Sequence, residues 1–237
     1  MRSADLTIKI FADGADFADI VMLSRNPLIR GFTTNPTLMR KAGIADYRKF
    51  AHEVLEVITD RPISFEVFSD EFSEMERQAR EIATWGANVY VKIPITNTRG
   101  ESSTDLVRRL SHAGVKLNVT AILTLAQVEA VTGCFARDGA GCVSVFAGRI
   151  ADTGRDPLPI MVSALEVMRA KPGLELIWAS PRELLNLFQA DAIGCHIITV
   201  TADILKKLAL VGKDLTAYSL DTVKMFHDDA QKAGYSL

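Results

Sequence analysis

The chain has 237 residues, 48% of them hydrophobic and 24% charged, with a formal net charge of −2 at pH 7. That is enough apolar material for a substantial core, in the range of one α/β barrel, and the balance is that of an ordinary soluble globular protein. Near-neutral charge leaves no electrostatic footprint for nucleic acid and no polybasic patch for a membrane, so neither is expected as a partner.

At the N-terminus, Met1-Arg2-Ser3-Ala4-Asp5 sets an acid where a secretory signal would need its apolar stretch. No run approaches the roughly 18 apolar residues of a membrane span, and a cytoplasmic protein is expected. Cys134, Cys142 and Cys195 are widely spaced with no C-x-x-C pair, and His52, His112, His196 and His227 are scattered. Neither a disulfide framework nor a metal site is signalled, so the chemistry is expected to need no metal and no cofactor.

From the N-terminus, eight β-rich runs alternate with helical patterns. The first, Ile8–Asp13, ends on a carboxylate, although Asp13-Gly14 alone could be a helix cap. The second, Phe32–Asn35, runs into Pro36, the usual first residue of a helix. The third, Ile63–Phe68, carries Ser64, Glu66 and Phe68 on one face, and the amphipathic segment Phe72–Trp85 follows. The fourth, Val89–Pro94, holds Lys92 among apolar neighbours, with a polar turn from Thr96 to Ser103 after it. The fifth, Lys116–Ile122, places Asn118 and Thr120 on one face; the helical pattern Leu125–Arg137 comes next. The sixth, Cys142–Ala147, carries Ser144 and Phe146 on one face and is followed by Arg149 and by a helical pattern over Leu158–Ala170. The seventh, Leu176–Ser180, leads into Ser180-Pro181-Arg182, read as a helix start. The eighth is Ile197–Thr201, and a last helix, Ser219–Ala233, is surplus to the eight pairs.

Strand–helix alternation of this kind predicts a single (β/α)8 TIM barrel over residues 1–237, with 219–237 as a C-terminal helical extension that serves oligomer packing or covers the barrel mouth. An open doubly wound sheet is the alternative, weakened because no G-x-G-x-x-G follows the first strand.

Strands buried on both faces should be continuous apolar runs. Here polar residues interrupt them with a period of two, which sends each polar set to one face. Taken singly, each has a bland explanation. A lone Lys in a strand is commonly a snorkelling side chain or an edge gatekeeper, Glu66 a solvated strand end, Asn118 a turn former and Arg149 a surface charge. Those explanations do not account for recurrence on the same face of strand after strand, late in the strands, where barrel enzymes build their sites.

The set permits specific chemistry. A lysine in a mostly apolar wall loses solvation of its charged form, which favours the free amine, and a free amine attacks a ketone to form an iminium. Asp13 is a candidate base for the C4 hydroxyl of a ketose. Glu66 and Thr120, on the strands flanking that of Lys92, could hold the water that imine chemistry needs. Asn35, Asn118 and Ser144 could orient the hydroxyls of a three-carbon unit. Arg149, Ser180 and Arg182 form a candidate anion site after the late strands.

Gly31-Phe32-Thr33-Thr34-Asn35-Pro36-Thr37-Leu38-Met39 closely resembles the T-[ST]-N-P signature of transaldolases, and Val89-Tyr90-Val91-Lys92-Ile93-Pro94 resembles the strand that carries their Schiff-base lysine. Leu117-Asn118-Val119-Thr120, Ser144-Val145-Phe146-Ala147-Gly148-Arg149 and Ala179-Ser180-Pro181-Arg182 resemble the remaining site segments, in the family's order. The resemblance implies Lys92 as nucleophile, Asp13 as base, Glu66 and Thr120 around the catalytic water, and Arg149, Ser180 and Arg182 at a phosphate. It implies sugar phosphates as substrates and, from the compact length, a homo-oligomer, commonly a pentamer or decamer with the last helix on a neighbour. Two departures stand out: Asp13-Gly14 replaces the usual Asp-Thr, and the Thr96–Ser103 turn is longer and more polar, which bears on the sugar accepted. The family's free aldolases tend to carry Gln and Tyr where this chain has Glu66 and Phe146, which implies transfer of dihydroxyacetone rather than its release. The alternatives are an aldolase of the same family, a transaldolase acting on another anionic sugar such as a sulfosugar, and a barrel that binds sugar phosphate without turnover.

Overall fold

The computed structural model describes residues 6–137 and 139–236; the Met1–Asp5 stretch considered above lies outside them. In chain order the elements are β1 (Lys9–Asp13), α1 (Phe17–Ser24), β2 (Ile29–Thr33), α2 (Pro36–Lys41), α3 (Tyr47–Val57), β3 (Ile63–Glu66), α4 (Phe72–Ala83), β4 (Val89–Pro94), α5 (Thr104–His112) and β5 (Leu117–Ile122). They continue with α6 (Leu125–Cys134), β6 (Gly141–Val145), α7 (Ala147–Asp152), α8 (Leu158–Met168), β7 (Leu174–Trp178), α9 (Leu185–Ala192), β8 (Ile197–Val200), α10 (Ala202–Lys206) and α11 (Leu215–Ala233). The strands are parallel and close from β1 through β8 back to β1, giving the (β/α)8 barrel. The G-x-G-x-x-G-free open sheet is thereby set aside.

Two apolar bodies hold the barrel. The larger lies between sheet and helices and includes Phe32, Ile63, Phe65, Val91, Ile93, Leu117, Val119, Val143, Val145, Leu176 and Trp178, the outward residues of their strands. Each such side chain removed from water contributes about 1.5–3 kcal/mol, which fixes the register because a one-residue slip would expose the whole set. The smaller fills the barrel itself with Phe11, Cys142, Ile177, Ala179 and Ile197, with Tyr90 and Phe146 packed against it. Gly31 is required there: a Cβ on it would sit 2.5 Å from the Phe11 ring. Polar inner-face residues therefore stack on an apolar plug.

The element ends depart from expectation in instructive ways. β2 covers Ile29–Thr33 rather than Phe32–Asn35, so Gly31 and Thr33 are its inward residues. The seventh strand starts two residues early, at Leu174, and ends at Trp178. Ser180-Pro181-Arg182 does not begin a helix, since α9 starts at Leu185 and Ser180 has φ 59°, a left-handed backbone. Phe68 does not join Ser64 and Glu66 on the inner face; β3 ends at Glu66, and Phe68 is 63% exposed beside Tyr47. The last helix begins at Leu215, four residues before Ser219, because Asp214 caps it by accepting from Ala217 N–H at 2.9 Å.

Candidate active site

Asp13, Thr33 and Glu66 are the last residues of β1, β2 and β3, and Lys92, Thr120 and Ser144 stand late in β4, β5 and β6. Their shared inward face opens on a cavity of about 480 Å³ at the C-terminal end of the barrel. It is lined by Asp13, Thr33, Asn35, Glu66, Lys92, Asn118, Thr120, Ser144, Phe146, Arg149, Ser180 and Thr199, with Leu38, Ala121, Leu123 and Ala179 among the apolar contributors.

Lys92 is 6% exposed. Its ammonium donates to the Thr34 carbonyl at 3.0 Å and lies 3.2 Å from Glu66 Oε2. Register explains the pair, because Glu66 and Lys92 are Cα partners on adjacent strands. The wall around the lysine is thus polar on one side, not the mostly apolar one its sequence neighbours imply. Those neighbours, Val91 and Ile93, point to the outer core.

Asp13 accepts from Thr33 Oγ1 at 2.7 Å, its own Cα partner across β1 and β2. Burial pushes its carboxyl above the ordinary range, opposed by the nearby Lys92 charge and the Thr33 bond and reinforced by Glu66. A base that must be formed near neutrality benefits from such a shift.

Asn118 is the middle of a buried chain: its Nδ2 donates to Ser64 Oγ at 3.1 Å, and its Oδ1 accepts from Ser144 Oγ at 2.7 Å. Three strands are tied by side chains that would otherwise be costly to bury. Thr120 Oγ1 is also buried but makes no hydrogen bond among the described residues. Such an orphan costs about 1–3 kcal/mol and calls for a partner from the cavity it lines. The strand bends just beyond it, where Ala121 has φ 62° and the pairing with β6 shifts register; left-handed backbone at a non-glycine residue is a strain found mostly at functional positions. Asn35 caps α2, accepting from Leu38 N–H at 3.0 Å, yet lines the cavity as well.

At the late-strand rim, Arg149 lies over the Phe146 ring, 5.4 Å from its centroid. Gly148 lets α7 abut Ser180: a Cβ there would fall 1.6 Å from the Ser180 carbonyl oxygen. That contact sets Arg149 beside Ser180. Arg182 is not brought into the cavity lining; its guanidinium pairs with Asp152, with Nε 2.9 Å from Oδ1. The bond from Arg182 holds the Asp152 carboxyl below its ordinary range. The Thr96–Ser103 turn is likewise absent from the lining. Arg99 in it reaches Asp70, Glu71 and Glu101 at 3.1, 2.8 and 3.1 Å, and Thr98 Oγ1 donates to Asp70 at 2.7 Å.

Sequence reasoning missed Thr33 and Thr199. Both lie inside strands expected from the sequence, Thr33 two residues before Asn35 and Thr199 two residues after the inward Ile197, so the period-two pattern that marks the other polar residues could have marked them. Among the described residues, no group of three or more His, Cys, Asp or Glu could hold a metal ion, and no helix is long and apolar enough to cross a membrane.

Comparison with known proteins gives a consistent answer. The family described as Transaldolase/Fructose-6-phosphate aldolase matches residues 10–237. The chain is 34% identical to a "Probable transaldolase" of Dehalococcoides mccartyi, over 85% of this chain and 90% of that one. It is 37% identical to "Probable transaldolase 2" of Listeria monocytogenes, over 85% and 88%. A "Probable transaldolase" of Thermoanaerobacter sp. is 35% identical over 97% of this chain and all of its own length (100%).

Proposed function

The chain belongs to the transaldolase/fructose-6-phosphate aldolase family, and on that premise we propose that it is a metal-independent Schiff-base transaldolase. It moves a dihydroxyacetone unit from a ketose phosphate, such as fructose 6-phosphate or sedoheptulose 7-phosphate, to an aldose phosphate. The observation that carries this reading is the buried amine of Lys92, 3.2 Å from Glu66 in the same cavity as Asp13.

In this reaction Lys92 gives up a proton, for which Glu66 is positioned, and attacks the ketose carbonyl. Loss of water leaves an iminium, with Glu66 and the unpartnered Thr120 hydroxyl handling the water and its protons. Asp13 takes the C4 hydroxyl proton, the C3–C4 bond breaks, and its electron pair passes into the iminium to give an enamine. The aldose phosphate departs. An acceptor aldehyde then accepts the enamine's electron pair as a new carbon–carbon bond forms, Asp13 returns the proton, and hydrolysis frees the product and Lys92. Asn35, Asn118 and Ser144 orient the hydroxyls of the three-carbon unit, and Arg149 and Ser180 receive the distal phosphate. Arg182 pairs with Asp152 through Nε and Nη2 and stands outside the cavity lining.

Release of free dihydroxyacetone is the second reading, and Phe146 on the cavity wall weighs against it. Release requires protonation and hydrolysis of the enamine, which a phenyl ring does not assist. Incubation with fructose 6-phosphate, with and without erythrose 4-phosphate, separates the two. Transfer to the acceptor should outpace release by at least about tenfold, and Phe146→Tyr should narrow that ratio while the imine on Lys92 persists. Equal rates in the wild type would make the protein an aldolase. The same comparison with a sulfonated donor tests the anion.

A further inference from the structure

The β2–β3 ladder breaks where the proposed nucleophile is held. Phe32 N–H donates to the Pro62 carbonyl at 2.9 Å and Thr34 N–H to the Ser64 carbonyl at 3.2 Å. In a regular parallel ladder the next rung runs from Glu66 N–H to the Thr34 carbonyl. It is not made. The Thr34 carbonyl instead accepts from Lys92 Nζ at 3.0 Å, and the chain turns away at Asn35-Pro36 into α2. Both backbone groups of Glu66 on that side thereby lose their strand partner.

One side chain replaces it. Tyr47, the first residue of α3, donates its hydroxyl to the Glu66 carbonyl at 2.8 Å and accepts from Glu66 N–H at 2.8 Å. We propose that Tyr47 is a positioning residue for the lysine: by taking over the Glu66 rung, it frees the Thr34 carbonyl to hold Lys92 and fixes the end of β3 from which Glu66 reaches the amine. The ring is itself fixed among Phe65, Phe68 and Trp85, at 6.3, 5.5 and 5.9 Å between centroids. Burial pushes its phenol well above the usual range, so the hydroxyl stays a donor at any working pH. Without the hydroxyl, Glu66 N–H is left to compete with Lys92 for the Thr34 carbonyl.

The inference rests on the Schiff-base reading and is tested so that the two can fail separately. With fructose 6-phosphate as donor, borohydride-trappable imine should form on Tyr47→Phe about tenfold more slowly at saturation than on wild type, since small misplacements of reacting groups carry penalties of that order and larger. KM for the donor should stay within about twofold, because Tyr47 does not line the cavity and its hydroxyl meets Glu66 only at the backbone. An unchanged saturated rate, or a loss confined to KM, overturns the inference. Absence of trapping in the wild type overturns the Schiff-base reading and this inference with it. Amide hydrogen exchange of the wild type gives a check independent of whether the variant folds. Glu66 N–H should be protected as well as Val67 N–H, which donates to the Lys92 carbonyl at 3.0 Å; exchange as fast as an unpaired loop amide would sink the proposal.

Discussion

Asp13 shows at the level of one residue how stability and chemistry pull apart. Its folded carboxyl is raised above the 3.8 of an unburied aspartate, chiefly by burial. A group raised in this way supports folding fully below its unfolded value and loses that support as pH climbs through the folded one. Near neutrality the ionised form therefore costs stability. Asp13→Asn should raise Tm at pH 7 and lose that advantage below about pH 3.8, as thermal melts across pH would record, while donor cleavage falls roughly 10²- to 10⁴-fold. A lower Tm for the variant at neutral pH would contradict the assigned direction. Asp13, Glu66, Lys92, Asn118, Thr120 and Ser144 were all legible in the sequence, because period-two polarity inside apolar runs survives errors of a residue or two in strand ends. Tyr47 was not: its contact with Glu66 spans 19 residues from a helix to a strand end, and no periodicity encodes it.

Among the elements, the short helix α7 and the loop after β7 illustrate where sequence signals mislead. Ser-Pro-Arg looked like a helix start, since proline suits the first turn, but Ser180 takes a left-handed conformation and α9 begins only at Leu185. The anion site so expected loses its helix terminus and, in this structure, Arg182 as well. Arg149, placed by the Gly148–Ser180 contact, is left as the arginine on the cavity wall. Arg149→Ala should therefore raise KM for fructose 6-phosphate about tenfold, the loss of one charge-assisted bond, with little change for unphosphorylated dihydroxyacetone. Arg182→Ala should cost less. Steady-state kinetics on both donors decide it, and equal penalties on the two donors would make Arg149 structural. The Thr96–Ser103 turn also reads differently in three dimensions: its polarity is spent on Asp70 and Glu71, not on the cavity.

Over the whole molecule, the barrel was legible because closure needs only eight strand–helix repeats in order, and exact ends matter little to it. The last helix is less settled by its own chain. No residue of α11 is buried, while Leu220, Val223, Met225 and Phe226 are exposed on it. Exposed apolar side chains on an otherwise polar helix fit the expected homo-oligomer, lying on a neighbouring copy. Light scattering should give a mass several times 25.9 kDa, and Val223→Glu with Phe226→Glu should lower it; a wild-type monomer would end that expectation. The whole account turns on one of the 11 lysines of the chain. The most direct test is borohydride reduction in the presence of fructose 6-phosphate, with and without a chelator, followed by peptide mass mapping. The account predicts irreversible inactivation, indifferent to the chelator, with the added mass of the reduced donor adduct on Lys92. Mass on another lysine, or activity that survives reduction, would contradict it.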